Sequence, residues 1–376
     1  MALLPSFPEV HFGFGALSVL PSELLKRGID RPLIITDEGL VAYGICQKLL
    51  DTLPKGMVAA VFDRIPENPT IAGIEGALEA YVTGRCNGIV GLGGGSVLDS
   101  GKALRIVTNQ GGRVLDYLKD PDKIGRNVAP YITIPTTAGT GAEVTFGGGI
   151  HPETNAPALG IRSPNARPDL AICDPELTLS LPPRLTAATG MDALTHCVEG
   201  FLSIRENPPV EAAALDGIRR VIENVARATK NGQDREAREQ LMMAALEGGM
   251  SIYMGLGPIH ALSMAFGDAP LHHGTLVTVV MPAVMRFYNG MDGGKLQRIA
   301  EAMGIPADRD AGNRIADAVA QMNEDLGLPV SVRKMGYDKS DLERMIDAAH
   351  GSYFNLTTPK RPSREEYRCL VTEVLG

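Results

Sequence analysis

The pattern of apolar and polar positions changes character near residue 183 of this 376-residue chain. Before that point, short apolar runs that predict strands alternate with segments whose apolar residues recur about every 3.6 positions, which predicts helices. The strand-like runs lie at 31–38, 57–65, 86–96, 129–141 and 169–175, and the third and fourth end in glycine turns. Strands that alternate with helices favour a largely parallel sheet covered on both faces.

Beyond residue 183, strand signals nearly vanish and helical periodicity dominates. The helical segments are 185–203, 208–229, 234–254, 258–267, 276–289, 294–303, 311–326, 339–350 and 363–375. The Pro182-Pro183 pair marks the change. We therefore predict an α/β plus all-α protein, with a Rossmann-like parallel-sheet domain over residues 1–181 and an all-helical domain over residues 182–376. The cleft between two such domains is the usual place for a site.

Composition is that of a globular protein and excludes several function classes. The hydrophobic fraction is 44%, and the net charge of −8 argues against a nucleic-acid partner, which requires a basic face. We find no run of 18 apolar residues and no signal-peptide pattern, so we expect no membrane partner and no secretion. The five cysteines are scattered without a CxxC pair, which favours reduced thiols and a cytoplasmic protein.

Two glycine turns carry the first candidate chemistry. GLGGGSVLDSGKA (91–103) has three consecutive glycines before a helix that we expect from Ser96, so backbone N–H groups and the positive helix end could hold a pyrophosphate. IPTTAGTGAEVT (134–145) adds the hydroxyls of Thr136, Thr137 and Thr140 at the end of another strand. Each turn alone also suits an ordinary loop without a ligand, but the two together predict a dinucleotide.

Asp37 is a third candidate for the dinucleotide site, because it lies at the end of IITD, near the end of the strand-like run 31–38. A carboxylate at that position can accept hydrogen bonds from both hydroxyls of an adenosine ribose and would repel a 2′-phosphate, which favours NAD over NADP. The alternative is a helix cap for the segment that begins at Glu38.

Four side chains form a candidate metal site. Asp192 and His196 are four positions apart in a helical pattern, so they share one helix face, although a simple hydrogen bond between them is the alternative. Three of the seven histidines lie in IHALSMAFGDAPLHHG (259–274). Two of these, His260 and His273, could turn toward the first pair. One carboxylate and three imidazoles suit Fe(II) or Zn(II) with one position open.

These motifs, in this order, resemble those of the iron-containing (group III) alcohol dehydrogenase family over nearly the whole chain. The resemblance implies a metal-dependent, NAD(H)-linked alcohol dehydrogenase or aldehyde reductase that acts on a small primary alcohol or aldehyde, as a homodimer or larger homo-oligomer. The family's metal ligands correspond to Asp192, His196, His260 and His273. Its cofactor contacts correspond to Asp37, Gly94, Gly95, Ser96, Asp99, Thr136, Thr137 and Thr140.

The chain departs from the family pattern in the histidine stretch. Met264 replaces a second histidine that lies four residues after the first, near the nicotinamide, and a thioether cannot relay protons. His272, in HHG where the family usually has PHG, is our candidate for that role; a surface histidine is the alternative. Asp99 is the other residue that we predict to be catalytic. The HHG form also resembles a subgroup whose substrates are functionalised, often anionic or sugar-derived.

Two other functions are compatible with the same motifs. One is a metal- and NAD-dependent lyase or cyclase of the dehydroquinate synthase type, which would need basic residues for a phosphate that are scarce near these motifs. The other is a catalytically inactive, cofactor-binding paralogue. Met264 suggests it, as does Ala158, which stands where many members of the resembled family have a lysine.

Overall fold

A computed structural model describes residues 6–154, 156–267, 269, 271–338 and 341–376. The described chain forms two compact units: Ser6–Thr137 with Ala142–Leu179, and Ala138–Gly141 with Ser180–Gly376. The main boundary lies two residues before the predicted one. Segment 138–141 joins the helical unit because its glycines lie against helices there: a Cβ on Gly139 would be 2.7 Å from Thr189 Cβ.

The first unit is built on a six-stranded sheet in the order β1-β8-β5-β4-β2-β3, and all its strand pairs are parallel. A separate antiparallel pair consists of β6 and β7. The strands are β1 (Glu9–Phe12), β2 (Pro32–Ile35), β3 (Ala60–Phe62), β4 (Gly88–Gly93), β5 (Tyr131–Pro135), β6 (Gly147–Ile150), β7 (Leu159–Arg162) and β8 (Leu170–Cys173). The predicted parallel sheet is confirmed.

Apolar side chains on both faces of this sheet are buried. Along β2, Leu33 and Ile35 enter one core cluster and Ile34 enters the other, because successive strand residues point to opposite faces. This two-sided burial explains why the strands are continuous apolar runs in the sequence. The helices of this unit are α1 (Leu20–Lys26), α2 (Glu38–Ala42), α3 (Ile45–Leu50), α4 (Ile71–Thr83), α5 (Gly95–Gln110) and α6 (Val114–Lys119).

The second unit is helical, as predicted. Its helices are α7 (Pro183–Leu202), α8 (Pro208–Lys230), α9 (Arg235–Ser251), α10 (Pro258–Met264), α11 (His273–Tyr288), α12 (Lys295–Ala302), α13 (Ala311–Asp325), α14 (Leu342–Gly351) and α15 (Arg364–Leu375). Helix α7 begins at a proline, whose fixed φ suits a first turn, and every residue from Thr186 to Leu202 is buried. Across the described residues, no helix combines the length and apolarity needed to cross a membrane.

Candidate functional site

The helical unit brings together the four residues predicted to bind a metal. Asp192 and His196 lie on α7, His260 lies on α10, and His273 is the first residue of α11. One ligand atom each from Asp192, His260 and His273 lies within 4.8 Å of the other two. His196 Nε2 is 3.1 Å from His260 Nε2 and 3.8 Å from Asp192 Oδ1. Residues far apart in the sequence therefore point their donor atoms at one small volume.

The donor set fits a divalent cation. Two imidazole nitrogens bound to one tetrahedral ion at about 2.0–2.1 Å would lie about 3.3 Å apart. The His196–His260 separation is close to that value. Asp192 is 1% exposed, and its Oδ1 receives no hydrogen bond from the described part of the chain. A buried carboxylate oxygen without a partner is costly, and a cation would satisfy it.

The protein environment keeps two of these imidazoles neutral. Burial lowers the pKa of His196, and the nearby Asp192 carboxylate only partly opposes the shift. Loss of solvent also lowers the pKa of His273 to about 4, again against the opposing charge of Asp192. Both rings are therefore uncharged at neutral pH. That is the state that metal binding requires, since only an unprotonated nitrogen can donate to a cation.

Glu199 supports this cluster and was not among the predicted site residues. Its Oε2 lies 2.6 Å from His260 Nδ1, and its Oε1 accepts the backbone N–H of Ile259 at 2.7 Å. The sequence contained a signal for it: Glu199 lies seven positions after Asp192 and three after His196, on the same face of α7. An acidic residue on a helix is usually a surface residue, so spacing alone did not distinguish it.

His272 lies beside the cluster as the N-cap of α11. Its Nδ1 accepts the backbone N–H of Thr275 at 3.3 Å, which leaves Nε2 as the nitrogen that carries the proton in the neutral ring. Met264 is the last residue of α10, four positions after His260. The structure thus gives His272 a capping function, and its role in catalysis stays a prediction.

The sheet unit holds most of the predicted cofactor contacts at the carboxyl ends of three adjacent parallel strands. Asp37 follows β2, Gly94 follows β4, and Thr136 and Thr137 follow β5. Thr136 N donates to Gly93 O at 3.1 Å, and a Cβ on Gly94 would lie 3.3 Å from Thr137 Cγ2. Ligands of open α/β sheets bind at this edge.

The start of α5 presents backbone donors at the same edge. The helix begins at Gly95, and first-turn N–H groups have no carbonyl partner within their own helix. The Ser96 hydroxyl donates to Glu67 O. Asp37 Oδ1 accepts Leu40 N at 2.9 Å, so the capping alternative is realised for this oxygen. Leu40 N is the one hydrogen-bond partner of the Asp37 carboxylate among the described residues.

Both carboxylate oxygens of Asp99 accept hydrogen bonds from the protein. Its Oδ1 accepts from Lys102 Nζ at 2.9 Å, and its Oδ2 accepts from Gly149 N at 3.1 Å. The Lys102 side chain is fully buried and also donates to Thr145 Oγ1 and Gly147 O. These contacts tie α5 to the β6–β7 pair. The predicted roles of Asp99 in catalysis and cofactor binding stay predictions, as does the cofactor contact of Thr140, which belongs to the helical unit.

Comparison with known proteins gives the same family along both halves of the chain. Residues 8–175 match the iron-containing alcohol dehydrogenase model, and residues 186–375 match the C-terminal model of the Fe-containing alcohol dehydrogenase family. A 4-hydroxybutyrate dehydrogenase of Cupriavidus necator is 40% identical over 386 residues, which cover 99% of this chain and 100% of that protein.

Two further similar proteins are named as enzymes that act on 1,3-propanediol. A 1,3-propanediol dehydrogenase of Citrobacter freundii is 33% identical over 371 residues, covering 96% of this chain and 95% of that protein. A solved structure of 1,3-propanediol oxidoreductase is 30% identical, with a TM-score of 0.89 and 98% coverage of both chains. The chain therefore belongs to the iron-containing alcohol dehydrogenase family and is an oxidoreductase of that type.

Proposed function

We propose that the protein interconverts a small ω-hydroxy carboxylate, of the 4-hydroxybutyrate class, and the corresponding aldehyde acid, with NAD(H) as the redox partner. The observation that carries the proposal is the convergence of Asp192, His196, His260 and His273 in a chain of this family. The substrate class follows from the 4-hydroxybutyrate dehydrogenase that is 40% identical over almost the full length of both proteins.

The chain's own residues serve this reaction as follows. Oxidation removes a hydride from the carbinol carbon and a proton from the hydroxyl. Asp192, His196, His260 and His273 would hold a divalent cation, which supplies Lewis acidity toward the substrate oxygen when bound. Asp192 contributes the one negative charge of the four, and the neutral rings of His196 and His273 leave lone pairs for binding.

We propose Fe(II) as the native ion, with Zn(II) as the second candidate. Three imidazoles and one carboxylate suit both ions, and the family favours iron. Metal analysis of protein purified without added ions would distinguish them.

For the dinucleotide, we propose that the first turn of α5 receives the pyrophosphate and that Asp37 receives the ribose hydroxyls. Backbone N–H groups at a helix start favour an anion. The partly buried Asp37 carboxylate would repel a 2′-phosphate, which supports NAD over NADP. The remaining predicted contacts, Gly94, Thr136 and Thr137, lie on neighbouring strand ends.

The two alternative functions have less support. A lyase or cyclase of the dehydroquinate synthase type is not favoured, since both halves match alcohol dehydrogenase models and the relatives are dehydrogenases or reductases by name. The inactive paralogue is disfavoured because all four candidate metal ligands are present and converge. We further propose a cytoplasmic homodimer or larger homo-oligomer; the five free cysteines accord with a reducing compartment.

The proposed substrate is tested by comparing 4-hydroxybutyrate with the uncharged alcohols 1-butanol and 1,3-propanediol. With Fe(II)- and Zn(II)-loaded protein, we expect kcat/KM with NAD⁺ to be at least about 10-fold higher for the hydroxy acid. A charge-assisted hydrogen bond to a carboxylate contributes roughly 1.5–3 kcal/mol, or about one to two powers of ten. Equal kcat/KM values for the hydroxy acid and the uncharged alcohols would contradict the proposed carboxylate substrate. Absence of turnover on every alcohol would contradict the dehydrogenase activity itself. Repeating the assay with NADP⁺ tests the proposal that Asp37 repels a 2′-phosphate and so favours NAD⁺.

The proton-transfer role of His272 can be separated from its capping role. Asparagine is also a good N-cap, so His272→Asn should keep the start of α11 intact while removing the titrating ring. We expect kcat to fall about 100-fold and one limb of the pH–rate profile to disappear, as for loss of a general acid–base group. A pH–rate profile identical to that of the unmodified protein would leave His272 as a helix cap alone.

A further inference from the structure

We propose that Glu199 is a positioning residue that fixes the tautomer of His260 and thereby sets the affinity of the four-residue cluster for a divalent cation. The inference rests on the proposed metal site and goes beyond it, because Glu199 would contact no cation itself. Its carboxylate is 3% exposed and lies between α7, which carries it, and the start of α10.

Both oxygens of Glu199 act as acceptors. Oε1 accepts the backbone N–H of Ile259 at 2.7 Å, and Oε2 lies 2.6 Å from His260 Nδ1 and 3.4 Å from the His260 backbone N. An ionised carboxylate has no proton to donate, so with Glu199 in that form the 2.6 Å contact requires a proton on His260 Nδ1. In the neutral ring, Nε2 then keeps its lone pair.

The ring of His260 cannot easily turn away from this arrangement. It stacks on His196 with centroids 4.9 Å apart, and Phe354 covers it at 5.6 Å. On the other side, Gly257 lets the carboxylate come close, because a Cβ there would be 2.9 Å from Glu199 Oε1. His260 Nε2 therefore faces His196 Nε2 at 3.1 Å, inside the volume shared by the cluster.

Glutamine at position 199 would no longer fix the tautomer of His260, although it has nearly the same volume as glutamate. Its amide has one acceptor oxygen and one donor NH₂, whereas two N–H groups point at the side chain. If the oxygen keeps the N–H of Ile259, the NH₂ faces His260 Nδ1 and favours a proton on Nε2. That tautomer has no lone pair for a cation. Loss of such a carboxylate partner typically weakens metal binding about 10–100-fold.

The test measures Zn(II) affinity of the full-length Glu199→Gln protein by chelator competition. We expect the Kd to rise at least about 10-fold relative to the unmodified protein. Glu247→Gln is the matched control, because Glu247 is a buried acid of α9 whose Oε2 lies 3.4 Å from Arg220 Nε. Burial raises the pKa of Glu247 to about 8, so its amide replaces a largely neutral acid. Its Zn(II) affinity should stay within about 2-fold of the unmodified protein.

A second measurement does not depend on folding of the variant. ¹⁵N shifts of the histidines in metal-free, unmodified protein should show the His260 proton on Nδ1. A proton on Nε2 would overturn the proposal, and so would an unchanged Kd in Glu199→Gln or an equal loss in both variants. If the unmodified protein itself binds no Zn(II), the proposed metal site fails, which is a different result from failure of Glu199 alone.

Discussion

Replacing His260 with alanine should abolish tight metal binding and lower kcat/KM at least about 1,000-fold. The substitution removes the nitrogen that lies 3.1 Å from His196 Nε2 and leaves one carboxylate and two imidazoles. A cation that stabilises developing charge on oxygen contributes several kcal/mol, and each 1.36 kcal/mol corresponds to a factor of ten in rate, so a loss of about 4 kcal/mol gives this factor. Metal content by elemental analysis and steady-state kinetics measure the two effects.

The same substitution should also reduce stability without unfolding the protein. Glu199 Oε2 would lose its 2.6 Å side-chain partner while remaining buried and would keep only the backbone N of residue 260 at 3.4 Å. A buried group that is left poorly satisfied costs about 1–3 kcal/mol. His350→Ala is the control, since His350 lies on α14 with its ring 6.3 Å from that of Tyr367. We expect normal metal content and kcat/KM in this control. Retention of both in His260→Ala would refute the site.

The sequence could indicate the four candidate metal ligands because the spacing of two of them reflects helix geometry. Asp192 and His196 share a face of α7 at any packing of the helix, and three histidines in one short apolar window are unusual. Glu199 was missed because its contacts depend on where the start of α10, at Pro258, packs against α7. That packing belongs to the tertiary structure. Sequence periodicity describes one helix at a time and carries no information about which N–H groups approach it.

Two of the strands that the sequence missed lack an apolar signature. Strand β1 has only partly buried or exposed residues, since it lies at the edge of the sheet. Strand β6 begins with three glycines, which are depleted in strands and give no alternation. By contrast, the buried central strands and the helices from Pro183 onward that the structure describes were predicted, because burial on a fixed face imposes the periodicity that was used.

The second glycine turn shows a different limit. The sequence predicts a dinucleotide contact at the turn that contains TTAGTG. The structure gives two glycines of this turn a packing role: a Cβ on Gly139 would lie 2.7 Å from Thr189 Cβ, and one on Gly141 would lie 2.3 Å from Gly249 Cα. A ligand and a neighbouring helix both exclude a side chain, so the sequence cannot distinguish them.

Alanine at position 141 should therefore destabilise the helical unit by about 2–5 kcal/mol. The new Cβ would meet backbone on α9, at 2.3 Å from Gly249 Cα and 2.9 Å from Ala245 O, and backbone cannot rotate away. Overpacking of this kind costs about 1–3 kcal/mol. Gly141 also has φ +61°, a left-handed conformation that costs an L residue about 1–2 kcal/mol more. The free energy of unfolding in urea, or a fall in Tm of at least about 5 °C, measures the effect.

Gly290→Ala separates the two causes. Gly290 follows α11 with φ +77°, and no atom lies within 4 Å of the position its Cβ would take. This variant has the backbone strain without the clash, so we expect a loss of about 1–2 kcal/mol. The difference between the two variants then reports the close approach of segment 138–141 to α9. Equal losses in the two variants would mean that Gly141 is needed only for its backbone conformation. That result would contradict the close approach to α9, because a Cβ on Gly141 would lie 2.3 Å from Gly249 Cα.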